Sequence, residues 1–585
     1  MKFLRNLLAS IIGSIVAFGI VFFMFLIFIS LAGADQAVVV KKNSVLELRL
    51  PLPIKDYTGT DEADPFAGLF VKNQGLDEIL HAIRVAQTDD KISGISINSN
   101  FLLAGTSQAQ AIRRALSEFK NSGKFVYAYG DIYLQKDYYL ASVADSVFIN
   151  PVGSMDFKGL SAEVLYLKRL QEKTGVKMEV IRLGKYKSAV EPFLDNEMSD
   201  ENREQISELI SGVWESMLSE ISESRGISTE GLNQIADTLG ARTPEYALAS
   251  GLIDGILFQD EYHKLIKNEL GVPDDTNYNS ISLLDYAQVA NSKRLYKGRD
   301  RMAVIFAEGE ILYGEGSPDF IGQGAMTRAL RKAREDDRVK AVVLRVNSPG
   351  GNALTSDIIW REVILTREIK PVVVSFGDVA ASGGYYIAAG ADKIFAESTS
   401  ITGSIGVFGT IPNISGLADN IGVNAEQVGT NQNSVDYSFF EPMSDSFRAY
   451  LKEGIASTYQ TFLERVASGR NMTVEEVEKV AQGRVWTGVA AQRLGLVDEI
   501  GGLEDAIAEA ARLADLESFS IRKLPRYKSD FERFMEDIGS ASTEIREATL
   551  ENELGTEAYG IVKEIRAALN QKGIQARMPF TINVR

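Results

Sequence analysis

Apolar residues fall along this chain in three rhythms. The first is an unbroken run: residues 7–34, within NLLASIIGSIVAFGIVFFMFLIFISLAGA, carry no charge, enough for a helix to cross a hydrocarbon core of about 30 Å. The second is a set of short apolar blocks, GISI (94–97), KFVYAYG (124–130), AVVLRV (341–346) and PVVVSFG (371–377), which read as buried strands bounded by turn residues. The third is helical spacing, as in TSQAQAIRRALSEFKNSG (106–123) and in two long amphipathic segments, 199–225 and 444–470. Strand blocks followed by helical segments predict an α/β fold with a largely parallel sheet.

The pattern occurs twice. AYGDIYLQKDYYLASVADSVF begins at Ala128 and SFGDVAASGGYYIAAGADKIF at Ser375, an offset of 247 residues that holds without a gap from Asp89 to Gly159. After a two-residue change, EMSDENREQISELISGVW aligns with PMSDSFRAYLKEGIASTY. The chain is therefore read as a tandem duplication. Residues 1–40 form a tail and anchor, 41–274 the first repeat, 275–299 a polar linker, 300–526 the second repeat, and 527–585 a charged, partly helical extension.

The differences between the repeats carry the chemistry. Ser382, Gly383 and Gly384 face Gln135, Lys136 and Asp137, and NSPGG (347–351) faces NFLLA (100–104), so the first repeat has lost both a hydroxyl and a glycine turn. In the other direction GKYKSAVEPF, from Gly184, faces GTNQNSVDYS, from Gly429, which puts Lys187 opposite Gln432. Each repeat keeps what the other lacks, as expected of one composite site. Ser382 at a strand-to-helix turn would present its hydroxyl, and Lys187 is the candidate base. Lysine accepts a proton only when neutral, so its pKa must fall by about three units, or about 4 kcal/mol, to serve near pH 7; burial supplies such a shift. Taken alone, KYKS reads as a solvated basic turn, and Lys185 is the rival base. Gly383 and either Gly350 or Gly351 would offer backbone N–H groups to a developing oxyanion. Ser404, in TGSIG, would orient the lysine, although a structural turn explains it equally well.

Composition narrows the classes. At 585 residues, 24% charged and 45% hydrophobic, the chain is long enough for two or more globular domains. A net charge of −17 disfavours nucleic acid as a partner, and the absence of cysteine excludes thiol catalysis and disulfides. There are only two histidines, His81 and His263, and neither has the spacing of a zinc peptidase, so no metal and no cofactor is expected. Lys2 and Arg5 precede the apolar run, which places the short tail in the cytoplasm and the rest beyond the membrane. Ala32-Gly33-Ala34 looks like a cleavage site, but the run exceeds the roughly 7–15 apolar residues of a signal peptide, which favours a retained anchor.

NSPGGN, VAASGGYYIA, STSITGSIGVFG, GKYKSAVEPF and GRVWTGVAAQRLGLVDEIGG together resemble the signal peptide peptidase A family, long (protease IV) type, over residues 45–524. The resemblance implies tandem ClpP/crotonase-like domains and a membrane-anchored serine endopeptidase that degrades spent signal peptides with a Ser/Lys dyad. It assigns Ser382 as nucleophile, Lys187 as general base, Gly383 with Gly350 or Gly351 as oxyanion donors, and Ser404 as the lysine's partner. It also implies a homotetramer with apolar grooves for hydrophobic peptides. Three rivals remain: acyl-CoA chemistry on a related fold, which the anchor disfavours; a non-catalytic membrane scaffold, which the complementary losses disfavour; and a zinc peptidase, which the histidine spacing disfavours most.

Overall fold

The computed structural model describes residues 2–32, 38–59, 74–98, 100–293, 295–435, 437–527 and 575–577. Each expected apolar block is the centre of a strand, flanked by helices that cover the sheet. In the first repeat the strands run, edge to edge, Gly255–Ile256, Ser146–Met155, Phe125–Tyr133, Ile92–Ile97, Ser44–Leu48 and Asn279–Ser282, and every neighbouring pair is parallel. Leu46, Ile95, Ala128 and Val147 are fully buried on these strands. That explains the near-continuous apolar blocks, since a parallel sheet hides both faces.

The second repeat builds a similar sheet in the order Val485–Thr487, Ile401–Gly403, Val372–Ala381, Val339–Ser348, Arg301–Glu308 and Ser520–Leu524, with Lys393–Ala396 beside Val372–Ala381 and the edge strand Val485–Thr487 antiparallel to its neighbour. Strands Ile92–Ile97 and Phe125–Tyr133 begin 247 residues before Val339–Ser348 and Val372–Ala381, so the sequence repeat is also a structural one. The linker expected over 275–299 is narrower than that. Its strand Asn279–Ser282 joins the first sheet beside Ser44–Leu48, and its helix Leu283–Asn291 buries Leu283, Tyr286 and Ala290. These apolar positions at helical spacing, capped by Ser282 accepting from the Asp285 N–H, had been masked by polar neighbours.

A third sheet ties the repeats together. It runs Phe320–Gly322, Glu310–Leu312, Gly350–Asn352, Gln575–Arg577, Phe408–Asn413 and Lys177–Arg182. Its last pair crosses the duplication: Lys177–Arg182 of the first repeat lies antiparallel to Phe408–Asn413 of the second, from Phe408 opposite Arg182 to Asn413 opposite Lys177. A buried polar seam adds a second contact. Arg345 Nε donates to Asp56 Oδ2 at 2.6 Å, Gln108 Nε2 donates to Asp56 Oδ1 at 2.9 Å, and Asp378 Oδ1 accepts the N–H groups of Ser107 and Gln108 at the start of the first repeat's helix Thr106–Lys120.

The N-terminal run is a single helix, Lys2–Ala32. Among the residues whose side chains are described, no helix is long and apolar enough to cross a membrane. Most of the expected extension 527–585 lies outside the described residues; of its described residues, Gln575–Arg577 form a strand in the third sheet.

Candidate active site

The strand Val372–Ala381 ends one residue before Ser382, and the helix Gly383–Ala388 starts one residue after it. Ser382 makes the turn at φ 55°, ψ −114°, a conformation few non-glycine residues adopt and one found where surrounding structure enforces it. Its N–H donates to the Gly403 carbonyl at 2.8 Å, which pins the strained residue to the neighbouring strand. Gly384 is required beside it, because a Cβ there would lie 2.6 Å from the Ser348 carbonyl oxygen. The NSPGG turn is thereby packed against the helix start.

Lys187 arrives from the first repeat. The strand Lys177–Arg182 delivers the chain across the duplication, and a turn through Gly184 (φ 96°) leads to Lys187 at the start of the short helical turn Ser188–Val190. Its Nζ lies 2.8 Å from Ser382 Oγ, 2.9 Å from Ser404 Oγ and 3.0 Å from the Ser404 carbonyl oxygen. The side chain is wholly buried, and no carboxylate among the described residues is bonded to it. Burial pushes the amine well below the usual lysine range, with desolvation as the cause. A neutral amine has two N–H groups and one lone pair. Donating to the two Ser404 oxygens leaves the lone pair facing the Ser382 hydroxyl, so all three contacts are used.

Lys185, two residues earlier, is exposed, and its Nζ sits 4.7 Å from the centre of the Tyr186 ring. Among the glycines, Gly383 provides the first N–H of the helix, next to Ser382. Gly350 (φ 96°) and Gly351 (φ 152°) both need glycine's freedom, and a Cβ on Gly351 would meet the Ile311 carbonyl at 2.0 Å. The Gly350 N–H is held at 3.2 Å by Ser348 Oγ, so it could serve an anion only by exchanging that bond.

The enclosure of Lys187 depends on residues that the motifs alone do not single out. Gly406 and Gly483 line its side chain; a Cβ on Gly483 would fall 2.6 Å from Lys187 Cβ. The Arg484 carbonyl accepts the Ser404 N–H at 2.6 Å. Buried Gln205 donates to the Tyr186 carbonyl at 3.1 Å and to Ser188 Oγ at 2.7 Å, so it grips the lysine turn on both sides. The repeat carried a signal for Gln205, whose counterpart in the second repeat is the exposed Tyr450.

The matching place in the first repeat is filled. Asp137 accepts the N–H groups of Phe101, Leu102 and Leu134, and Lys136 Nζ donates to the Ala104 carbonyl at 2.7 Å. Gln135, at the position of Ser382, accepts the N–H groups of Lys158 and Gly159. Side chains there occupy the space where the second repeat keeps a turn of glycines. No cluster able to hold a metal ion occurs among the described residues.

Known proteins resemble this chain over most of its length. Protease 4 of Salmonella typhi is 39% identical over 461 residues, 77% of this chain and 74% of that protein. Protease 4 of Haemophilus influenzae is 38% identical over 75% of this chain and 73% of its own length, and the chloroplastic serine protease SPPA of Arabidopsis thaliana is 32% identical over 92% and 78%. A ClpP1 structure from Listeria monocytogenes aligns with 35% of this chain and 94% of its own, at 14% identity and a TM-score of 0.25, too loosely to add to the strand order above. The model of peptidase family S49 matches residues 118–273 and again 365–517, once in each repeat, and the chain belongs to that family of serine peptidases.

Proposed function

We propose that this peptidase works through a Ser/Lys dyad assembled from its two repeats, with Ser382 as nucleophile and Lys187 as general base. One observation carries the reading: a wholly buried lysine amine, paired with no carboxylate, 2.8 Å from a serine hydroxyl on a strained turn. The neutral amine takes the Ser382 proton as Oγ attacks the peptide carbonyl, and returns it to the leaving amine. The Gly383 N–H, with an N–H of the NSPGG turn, stabilises the oxyanion. Water then hydrolyses the acyl-enzyme with the same lysine as base, while Ser404 keeps the amine aimed. Every element is supplied by side chains and backbone, without a cofactor.

The substrate is an extended peptide added as a strand to Gly350–Asn352. Support comes from the chain's own Gln575–Arg577, which fills that place as an antiparallel strand, Gly351 opposite Ala576, and which a substrate strand would displace. Hydrophobic peptides such as remnant signal peptides are the substrate class, and the N-terminal helix is the anchor that keeps the enzyme beside them. Its 31 residues reach about 46 Å, and Ile12, Phe18, Val21 and Phe23 are all exposed on it. The end of the helix that carries Lys2 and Arg5 lies on the cytoplasmic side, and both repeats lie on the far side of the membrane. The working unit is a homo-oligomer, a tetramer by the family resemblance.

The test is hydrolysis of a fluorogenic hydrophobic peptide by the full chain in detergent, comparing wild type with Ser382→Ala, Lys187→Ala and Lys185→Ala. The first two should lose at least about a thousandfold in kcat, and Lys185→Ala should keep wild-type rates. Activity retained in Lys187→Ala, or lost in Lys185→Ala, would overturn the assignment of the base.

A further inference from the structure

The NSPGG turn has two polar side chains, and the duplication treats them differently. Asn347 faces Asn100 in the first repeat and so is kept, whereas Ser348 faces Phe101 and is lost. Asn347 ties the turn to its surroundings: its Oδ1 accepts the Val379 N–H at 3.2 Å and its carbonyl accepts the Gly309 N–H at 2.9 Å. Either repeat of this fold has use for such a tie. Ser348 goes the way of the nucleophile and the glycines, which sets it with the chemistry of the second repeat.

Its place in the structure agrees. Ser348 pairs with Ala380, two residues before Ser382, and is wholly buried, with its carbonyl and Cβ against Gly384 at the start of the nucleophile's helix. Its Oγ accepts the Gly350 N–H at 3.2 Å, the bond that serine makes to the N–H two residues on. Gly350 is itself buried, and a buried N–H is costly to leave without an acceptor. The Pro349–Gly350 peptide has freedom to turn over, because Gly350, at φ 96°, tolerates φ of either sign. The hydroxyl selects one of the two orientations. In the first repeat the turn is held by a charge instead: the Asp137 carboxylate accepts the N–H groups of Phe101 and Leu102 at 3.1 and 2.8 Å. That turn carries a permanent anion, while the turn in the second repeat carries a neutral acceptor at a longer distance.

We infer that Ser348 is a positioning residue for the oxyanion: its hydroxyl holds the Gly350 N–H in one orientation in the empty enzyme and yields it to the oxygen that becomes negative when Ser382 attacks. A hydrogen bond to an ionised oxygen is about twice as strong as one between neutral groups. The neutral carbonyl of a bound substrate therefore competes with the hydroxyl on equal terms, and the oxyanion displaces it. The exchange favours the transition state over the bound substrate. Ser348 forms no covalent bond and gives up no proton. The inference rests on the dyad reading above and selects Gly350 over Gly351 as the donor from NSPGG.

The test uses the full chain in detergent. Ser348→Ala should lower kcat for the fluorogenic peptide about tenfold with KM held within about twofold, a smaller loss than the roughly hundred- to thousandfold that follows removal of an oxyanion donor itself. The Ki of a peptide aldehyde, to whose carbonyl Ser382 Oγ adds, should rise by the same factor, since the adduct places its oxygen where the oxyanion forms. The affinity of the intact peptide for Ser382→Ala should stay the same when Ser348→Ala is added, and the acid limb of the wild-type rate, set by Lys187, should not move. Ser348→Cys, a weaker acceptor of similar shape, should fall between Ser348→Ala and wild type. Wild-type kcat and aldehyde Ki in Ser348→Ala would overturn the inference. A loss of intact-peptide affinity as large as the loss in kcat would overturn it too, because the serine would then only shape the turn. Equal aldehyde binding by wild type and Ser382→Ala would overturn the dyad reading itself, and this inference with it.

Discussion

Replacing Lys187 with methionine should make the protein inactive and, at the same time, change how its stability responds to pH. Methionine keeps much of the volume and removes the amine. In the unfolded chain the lysine titrates near about 10.4, while in the fold burial holds it well below that. Wild type therefore gives up a proton on folding wherever the pH lies between the two values. For an amine that is neutral at pH 8, as the proposed general base must be, the cost is about 1.4 kcal/mol for each unit below 10.4, or about 3 kcal/mol at pH 8. Against this, the variant leaves the Ser382 and Ser404 hydroxyls without their nitrogen partner, at about 1 kcal/mol each. The net gain at pH 8 is about 1 kcal/mol, but its pH dependence is the sharper reading. A depressed folded-state pKa means that the amine's contribution is complete above the unfolded value and is lost as pH falls. The advantage of Lys187→Met should thus shrink by about 1.4 kcal/mol per unit as pH rises from 8 to 10. Urea unfolding followed by tryptophan fluorescence, with Trp486 close to the site, measures this directly. A difference that does not vary with pH would refute the reasoning, because the lysine would then enter the fold charged and could not act as a base.

Ser404→Ala removes one of the amine's two hydrogen-bond acceptors, and kcat should fall about ten- to a hundredfold while KM changes little, measured by steady-state peptide hydrolysis. Gly483→Ala puts a methyl group against Lys187 Cβ at a residue with φ 82°; a loss of about tenfold or more in kcat is expected without loss of the folded far-ultraviolet spectrum. Asp378, at the seam between the repeats, is raised to about 6 by burial and the charge of Asp56. Its contribution to stability is complete below about pH 4 and declines as pH rises to about 6. Asp378→Asn, which keeps an oxygen for the Ser107 and Gln108 N–H groups, should flatten the thermal midpoint over that window, and an unchanged wild-type slope would count against the assignment.

Much of this architecture was readable before any coordinates, for a physical reason. Strands buried on both faces, such as Val339–Ser348 and Val372–Ala381, must be apolar almost throughout, so they stand out against helical spacing. The site was readable through loss: Lys187 opposite Gln432 and Ser382 opposite Gln135 mark residues that one repeat discarded. What holds the site was less visible. Gln205 acts through backbone carbonyl and hydroxyl contacts on a turn far from Ser382 in sequence, and Arg484 contributes only a carbonyl, which every residue has. The strand Asn279–Ser282 was hidden because two of its four residues are serines, and its half-buried edge position needs no apolar run. The third sheet joins segments more than 200 residues apart, a pairing that no local periodicity encodes.

The division of the site between repeats also governs when the enzyme can first act. Ribosomes make Lys187 before Ser382, 195 positions apart in the chain, and the serine's strained turn and the glycines that enclose the amine all belong to the later part. Until that part folds, Lys187 is an ordinary solvated cation near its unfolded pKa of about 10.4 and cannot take a proton at neutral pH. The proposed base is thus created by the closing of the second repeat over the first. A growing chain is therefore harmless to the polypeptides around it, and to itself, until the second repeat has been made and folded.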